Sequence, residues 1–141
     1  MFNGGTAMLP KKEILIVEDE ETLLKLESVL LTSRGYKVNG VANGRAALDS
    51  MASQKPDLVL LDVMLPEVDG FEVCRRIKSN EATRHIPVIL LTARKSPDDM
   101  ARGEQVGADW YMTKPFKSAL LIDTVQRFLA GGAMPPSFCT P

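Results

Sequence analysis

The sequence predicts an α/β fold, a parallel sheet with helices on both faces. Two features carry this expectation: short β-branched or Leu-rich runs alternate with helix-period segments through five rounds, and the third and fourth runs are almost wholly apolar. Strands covered on both faces read as continuous apolar runs, whereas half-exposed strands alternate. The predicted strands are residues 14–17, 37–41, 58–61, 88–91 and 110–112. A chain of 141 residues has room for one hydrophobic core of ordinary size.

The helices follow in order. The first begins after Asp19, presents Leu23, Leu26 and Leu30 at helical spacing as its expected inward face, and stops at Gly35. Asn43 caps the second, which turns Ala47, Leu48 and Met51 inward before Pro56. The third is expected over residues 71–79, with Gly70 after Asp69 making a tight turn into it. Ser96, Pro97 and Asp99 signal the start of the fourth. With Gly103 inside it and few large apolar residues, this helix is expected to have low intrinsic stability. The fifth covers residues 117–129 and buries Leu121, Val125 and Phe128. Residues 1–11 and 131–141 are rich in Gly, Pro and Ser without periodicity, and are expected to be flexible extensions of a domain at 12–130.

Composition excludes several classes of function. With 17 basic against 18 acidic residues the net charge is −1, so no general attraction to nucleic acid or anionic lipid is built in. No apolar run approaches the ~20 residues of a membrane helix, and the N-terminus lacks the pattern of a signal peptide. A cytoplasmic protein is expected, and in that compartment Cys74 and Cys139 are expected as free thiols.

The chemistry lies where the strands stop. The first runs into Glu18, Asp19 and Glu20, the third into Asp62, the fourth into Thr92, and Lys114 follows the fifth. Ligands of open parallel sheets bind beyond the carboxyl ends of the strands, so these side chains should converge. Carboxylates gathered in one crevice repel each other unless a cation joins them, and Mg2+ takes one or two carboxylates plus water and phosphate oxygens. A lysine and a hydroxyl beside the cation can hold the oxygens of a transferring phosphoryl group. Together they suit phosphoryl transfer to an aspartate.

The segments ILIVEDEE, LVLLDVMLPEVDGFEVCRRIK, IPVILLTAR and GADWYMTKPF, in this order, resemble response-regulator receiver domains over about residues 12–130. The resemblance implies a flavodoxin-like (βα)5 fold with strand order 2-1-3-4-5. It implies Asp62 as phosphoacceptor, Glu18 and Asp19 as the acidic pair that holds Mg2+ with Asp62, and the Met64 main-chain carbonyl as a further ligand. Thr92 matches the switch hydroxyl, Lys114 the phosphate-binding lysine, Tyr111 the aromatic that changes rotamer, and Pro115 the residue after a cis peptide bond. The implied partners are a sensor histidine kinase or phosphotransfer protein, which supplies the phosphoryl group, and a downstream protein met by the fourth helix, fifth strand and fifth helix. The implied state is a monomer or a phosphorylation-dependent dimer. The chain is then a signalling domain whose only chemistry is its own phosphorylation and dephosphorylation, not an enzyme.

Other readings of the same residues are weaker. One Asp after an apolar strand is commonly a turn or cap residue, but Thr92 and Lys114 at matching strand ends argue against that here. An aspartate-nucleophile phosphatase needs a second Asp two residues on, where Met64 stands. A dinucleotide binder needs a phosphate-cradling loop after the first strand, where Glu18, Asp19 and Glu20 repel phosphate. A phosphorylation-independent interaction module would not need the full set of polar residues. His85 fits a solvated turn and the methionines fill gaps. Trp110, where the family often carries an acid, has two readings, a cover over apolar surface or an exposed anchor for a partner at the centre of the switching surface, of which the second is preferred.

Overall fold

The computed structural model describes residues 10–131. The expectations for the two terminal extensions, and for Cys139, lie outside these residues apart from Pro10, Lys11 and Gly131. Five strands and five helices alternate: β1 (Glu13–Val17), α1 (Glu21–Thr32), β2 (Lys37–Val41), α2 (Gly44–Ser53), β3 (Leu58–Asp62), α3 (Gly70–Ser79), β4 (Val88–Thr92), α4 (Pro97–Gln105), β5 (Trp110–Thr113) and α5 (Ser118–Leu129). All strand pairs are parallel, in the order β2-β1-β3-β4-β5. Every residue of β3 and β4 is buried, which is why these two runs are apolar up to their last residues, Asp62 and Thr92.

Alternation along the strands divides the core. Leu15, Val17, Val59, Leu61, Leu90 and Tyr111 face α2, α3 and α4, where they meet Ala47, Met51, Phe71 and Cys74. Ile14, Ile16, Leu58, Leu60, Ile89 and Trp110 face α1 and α5, where they meet Leu31, Leu121 and Val125, with Phe128 partly buried against them. The caps are local. Asn43 accepts from Ala46 N–H at 2.8 Å, Asp69 from Glu72 N–H at 2.9 Å and Ser96 from Asp99 N–H at 3.1 Å. Gly35, after α1, has a φ of +93°, a conformation that favours glycine.

Two expectations need correction, and a third residue gains a second role. The inward face of α1 is formed by Leu24, Glu27 and Leu31 instead of Leu23, Leu26 and Leu30; Leu26 is 51% exposed, whereas Glu27 is 2% exposed. Both sets have helical spacing, and the all-apolar one was the natural choice, but the packing places the acid inside. Trp110 is no exposed anchor: it is buried on the α1/α5 side of the sheet because successive residues of a strand point to opposite faces. It therefore stands back to back with Tyr111 and cannot centre an exposed surface. Gly103, which lowers the intrinsic helix propensity of α4, also meets a packing requirement. A Cβ there would lie 2.9 Å from Tyr111 Cδ2 and 3.1 Å from Leu90 Cδ1, so only glycine lets α4 approach β5 this closely.

Candidate functional site

Each strand of the central three delivers its polar residue to the same edge of the sheet. β1 ends at Val17, so Glu18 and Asp19 enter the loop together, with Glu18 N–H held by the Val41 carbonyl at 3.0 Å. Asp62 and Thr92 are the last residues of β3 and β4, and Lys114 follows β5. The Lys114–Pro115 peptide bond is cis. Gly70 lets α3 start against the end of β3, because a Cβ there would collide with the Asp62 carbonyl and come within 2.6 Å of Val63 Cα.

Glu18, Asp19 and Asp62 each place a carboxylate oxygen within 4.8 Å of the others. Lys114 is the cation among them: its Nζ donates to Glu18 Oε1 at 2.6 Å and lies 3.4 Å from Asp62 Oδ2. Glu18 also accepts from Glu20 N–H at 3.2 Å, and Asp62 Oδ1 from Met64 N–H at 3.1 Å. Asp62 is 6% exposed, while the neighbouring Met64 side chain and Asp19 face solvent.

Electrostatics follow from this crowding. Burial, and then the charge of Glu18, push the Asp62 carboxyl up to about 6, against the opposing pull of Lys114 and the Met64 N–H. Burial works against the Lys114 ammonium, yet the Glu18 hydrogen bond and the charges of Asp62, Glu18 and Glu27 together raise its pKa above the ordinary value. Negative charge is thus in excess, and all the donors are hard oxygens. That donor set fits a hard divalent cation such as Mg2+, with Glu18, Asp19 and Asp62 as the residues that can hold it.

Thr92 and Tyr111 are joined through one residue. The Thr92 Oγ1 accepts from Arg94 N–H at 3.1 Å, and the Tyr111 hydroxyl donates to the Arg94 carbonyl at 2.7 Å. The Arg94 guanidinium pairs with Asp99 in the first turn of α4 at 2.9 Å. The Tyr111 ring is already buried here, stacked under Gly103, so burial of this ring does not await a movement of Thr92.

One residue of the site escaped the sequence. Glu27, one turn and a half into α1, is buried with neither carboxylate oxygen hydrogen-bonded among the described residues. Burial first, then the charges of Glu18 and Asp62, push it up to about 7, with Lys114 drawing it the other way. It lines a cleft of about 380 Å³ with Leu23, Leu26, Lys114, Pro115 and Phe116. The signal available was its place seven residues after Glu20 and four before Leu31, which puts it on the Leu31 stripe.

Comparison with known proteins agrees with this geometry. Residues 14–126 match the response regulator receiver domain family. The polar-differentiation response regulator DivK of Brucella anthropi is 40% identical over 118 residues, which cover 84% of this chain and 96% of DivK. The response regulator PleD of Caulobacter vibrioides is 42% identical over 113 residues, 80% of this chain, and the chain spans only 25% of its length. Among solved structures, the receiver domain of a sensor histidine kinase from Pseudomonas aeruginosa, which holds a magnesium ion in its active-site cleft, superposes with a TM-score of 0.79 at 37% identity, covering 86% of this chain and 99% of that one. With its five parallel strands in the order 2-1-3-4-5 and its acidic cluster at their carboxyl ends, the chain belongs to the receiver domains of two-component response regulators.

Proposed function

We propose that residues 12–130 act as a phosphorylation-operated switch in which the Asp62 carboxylate takes a phosphoryl group from a sensor histidine kinase or phosphotransfer protein. The observation that carries this reading is the junction of Asp62, Glu18 and Lys114, in which a buried carboxylate at a strand end is held beside both a second acid and a fixed ammonium. In the transfer, an Asp62 oxygen forms a bond to phosphorus while the P–N bond to the donor imidazole breaks, and the imidazole leaves with the electron pair. Glu18, Asp19 and Asp62, with the Met64 carbonyl, would hold Mg2+, which would supply charge neutralisation for the phosphoryl oxygens. Lys114 holds another of these oxygens, its Nζ already 3.4 Å from Asp62.

Signal output starts at Thr92. When its side chain moves so that the hydroxyl donates to a phosphoryl oxygen, the hydrogen bond it now accepts from Arg94 N–H moves with it. The carbonyl of the same residue, Arg94, carries the Tyr111 hydrogen bond, and its side chain carries the Asp99 ion pair, so a move at Thr92 reaches β5 and α4 together. The face formed by α4, β5 and α5 is then the one that meets the downstream protein, with Tyr111 and not Trp110 as its internal sensor.

The test is intact-mass analysis after incubation with acetyl phosphate. The wild type should gain one phosphoryl group in Mg2+ and none in excess chelator, and Asp62→Asn should gain none. Undiminished modification of Asp62→Asn, or indifference to chelator, overturns the assignment.

A further inference from the structure

A buried carboxylate with no hydrogen-bond partner demands an explanation, since leaving such a group unsatisfied costs more than an apolar replacement would. Glu27 is such a group, at a core-facing position of α1 where a leucine would pack. The cation nearest in chemistry is Lys114, which lines the same cleft and is charge-coupled to it.

Lys114 itself has a conflict of partners. Its ammonium is bonded to Glu18 at 2.6 Å, and Glu18 is one of the three acids whose oxygens gather within 4.8 Å. A divalent cation on those oxygens repels the ammonium and competes for the Glu18 lone pairs. A lysine has a flexible four-carbon stem, so it can swing without moving the backbone. Besides apolar side chains and the Ser118 hydroxyl, the cleft that Lys114 lines offers one carboxylate acceptor, that of Glu27.

We propose that Glu27 is a positioning residue for Lys114, the acceptor on which its ammonium rests once Glu18 turns to a divalent cation. The inference rests on the metal reading given above. Its consequence is that Lys114 stays charged, and close to Asp62, in the metal-loaded protein before phosphoryl transfer.

Calorimetric titration with Mg2+ at alkaline pH tests this without any turnover. The proteins are the wild type, Glu27→Gln, Lys114→Met and the double variant, with Glu27→Leu as a second replacement that restores an apolar core residue. Removing the resting place should weaken Mg2+ binding by about threefold or more when Lys114 is present, and change it little in the Lys114→Met background, as two residues acting through one contact must. Equal losses in both backgrounds would mean that Glu27 acts only through its charge, and would overturn the proposal. So would unchanged binding in Glu27→Gln and Glu27→Leu. A wild type that binds no Mg2+ removes the metal reading and this inference together, whereas binding with additive losses removes this inference alone.

Discussion

Replacing Glu27 by glutamine should stabilise the metal-free protein, and increasingly so as pH rises. The carboxyl is pushed from its ordinary value of 4.5 to about 7 in the folded state, chiefly by burial. Between those two values the folded protein holds a proton that the unfolded chain has released, so stability falls as pH climbs through this window. The penalty is absent below the lower value and complete above the upper one. At about 1.4 kcal/mol per pH unit the shift corresponds to an upper limit of about 3 kcal/mol at alkaline pH. Glutamine has the same shape and does not titrate. Urea unfolding of both proteins in chelator, followed by far-ultraviolet circular dichroism, should show the advantage of Glu27→Gln growing by about 2 kcal/mol between about pH 5 and about pH 8. Parallel stability profiles for the two proteins would refute the reasoning, because they would mean that Glu27 titrates alike in the folded and unfolded states.

Gly103→Ala should lower stability by about 1–2 kcal/mol in spite of alanine's better helix propensity, because its Cβ would press on Tyr111 and Leu90; the urea midpoint checks this. Cys74, buried and with its thiol pushed up to about 12, should resist thiol reagents in the native protein and react on unfolding, as measured in a Cys139→Ser background. The exposed Met64 side chain borders the expected line of water attack on the phosphorylated aspartate, so Met64→Asn should change the decay rate of the phosphorylated protein, followed by intact mass over time.

The fold was legible because its signals are local and redundant. β3 and β4 announce themselves as apolar runs, and the capping side chains of Asn43 and Ser96 mark their helices without tertiary context. The convergence of Glu18, Asp19, Asp62 and Lys114 was legible too, since parallel strands bring their carboxyl ends to one edge. What failed was the choice between faces. In α1, leucines occupy two stripes at helical spacing, and hydrophobicity alone favours the stripe that the structure leaves on the cleft. In β5, a tryptophan beside a tyrosine reveals nothing about which layer covers each, and α5 covers Trp110. The bridge from Thr92 through the Arg94 main chain to Tyr111 uses backbone groups, which leave no mark in the sequence. At Gly103 propensity counts only a loss, and the close approach of Tyr111 and Leu90 that the glycine permits is a tertiary feature with no mark in the sequence.

The central claim is that the phosphoryl group resides on the Asp62 carboxylate. Borohydride reduces an acyl phosphate to an alcohol and leaves free carboxylates alone, so tritiated borohydride applied to the phosphorylated protein marks the acceptor directly. Peptide mapping should place the label at position 62, as homoserine, and Asp62→Asn should carry none. Label at Glu18 or Asp19, or a phosphorylated wild type that borohydride leaves unmarked, would contradict the assignment of Asp62.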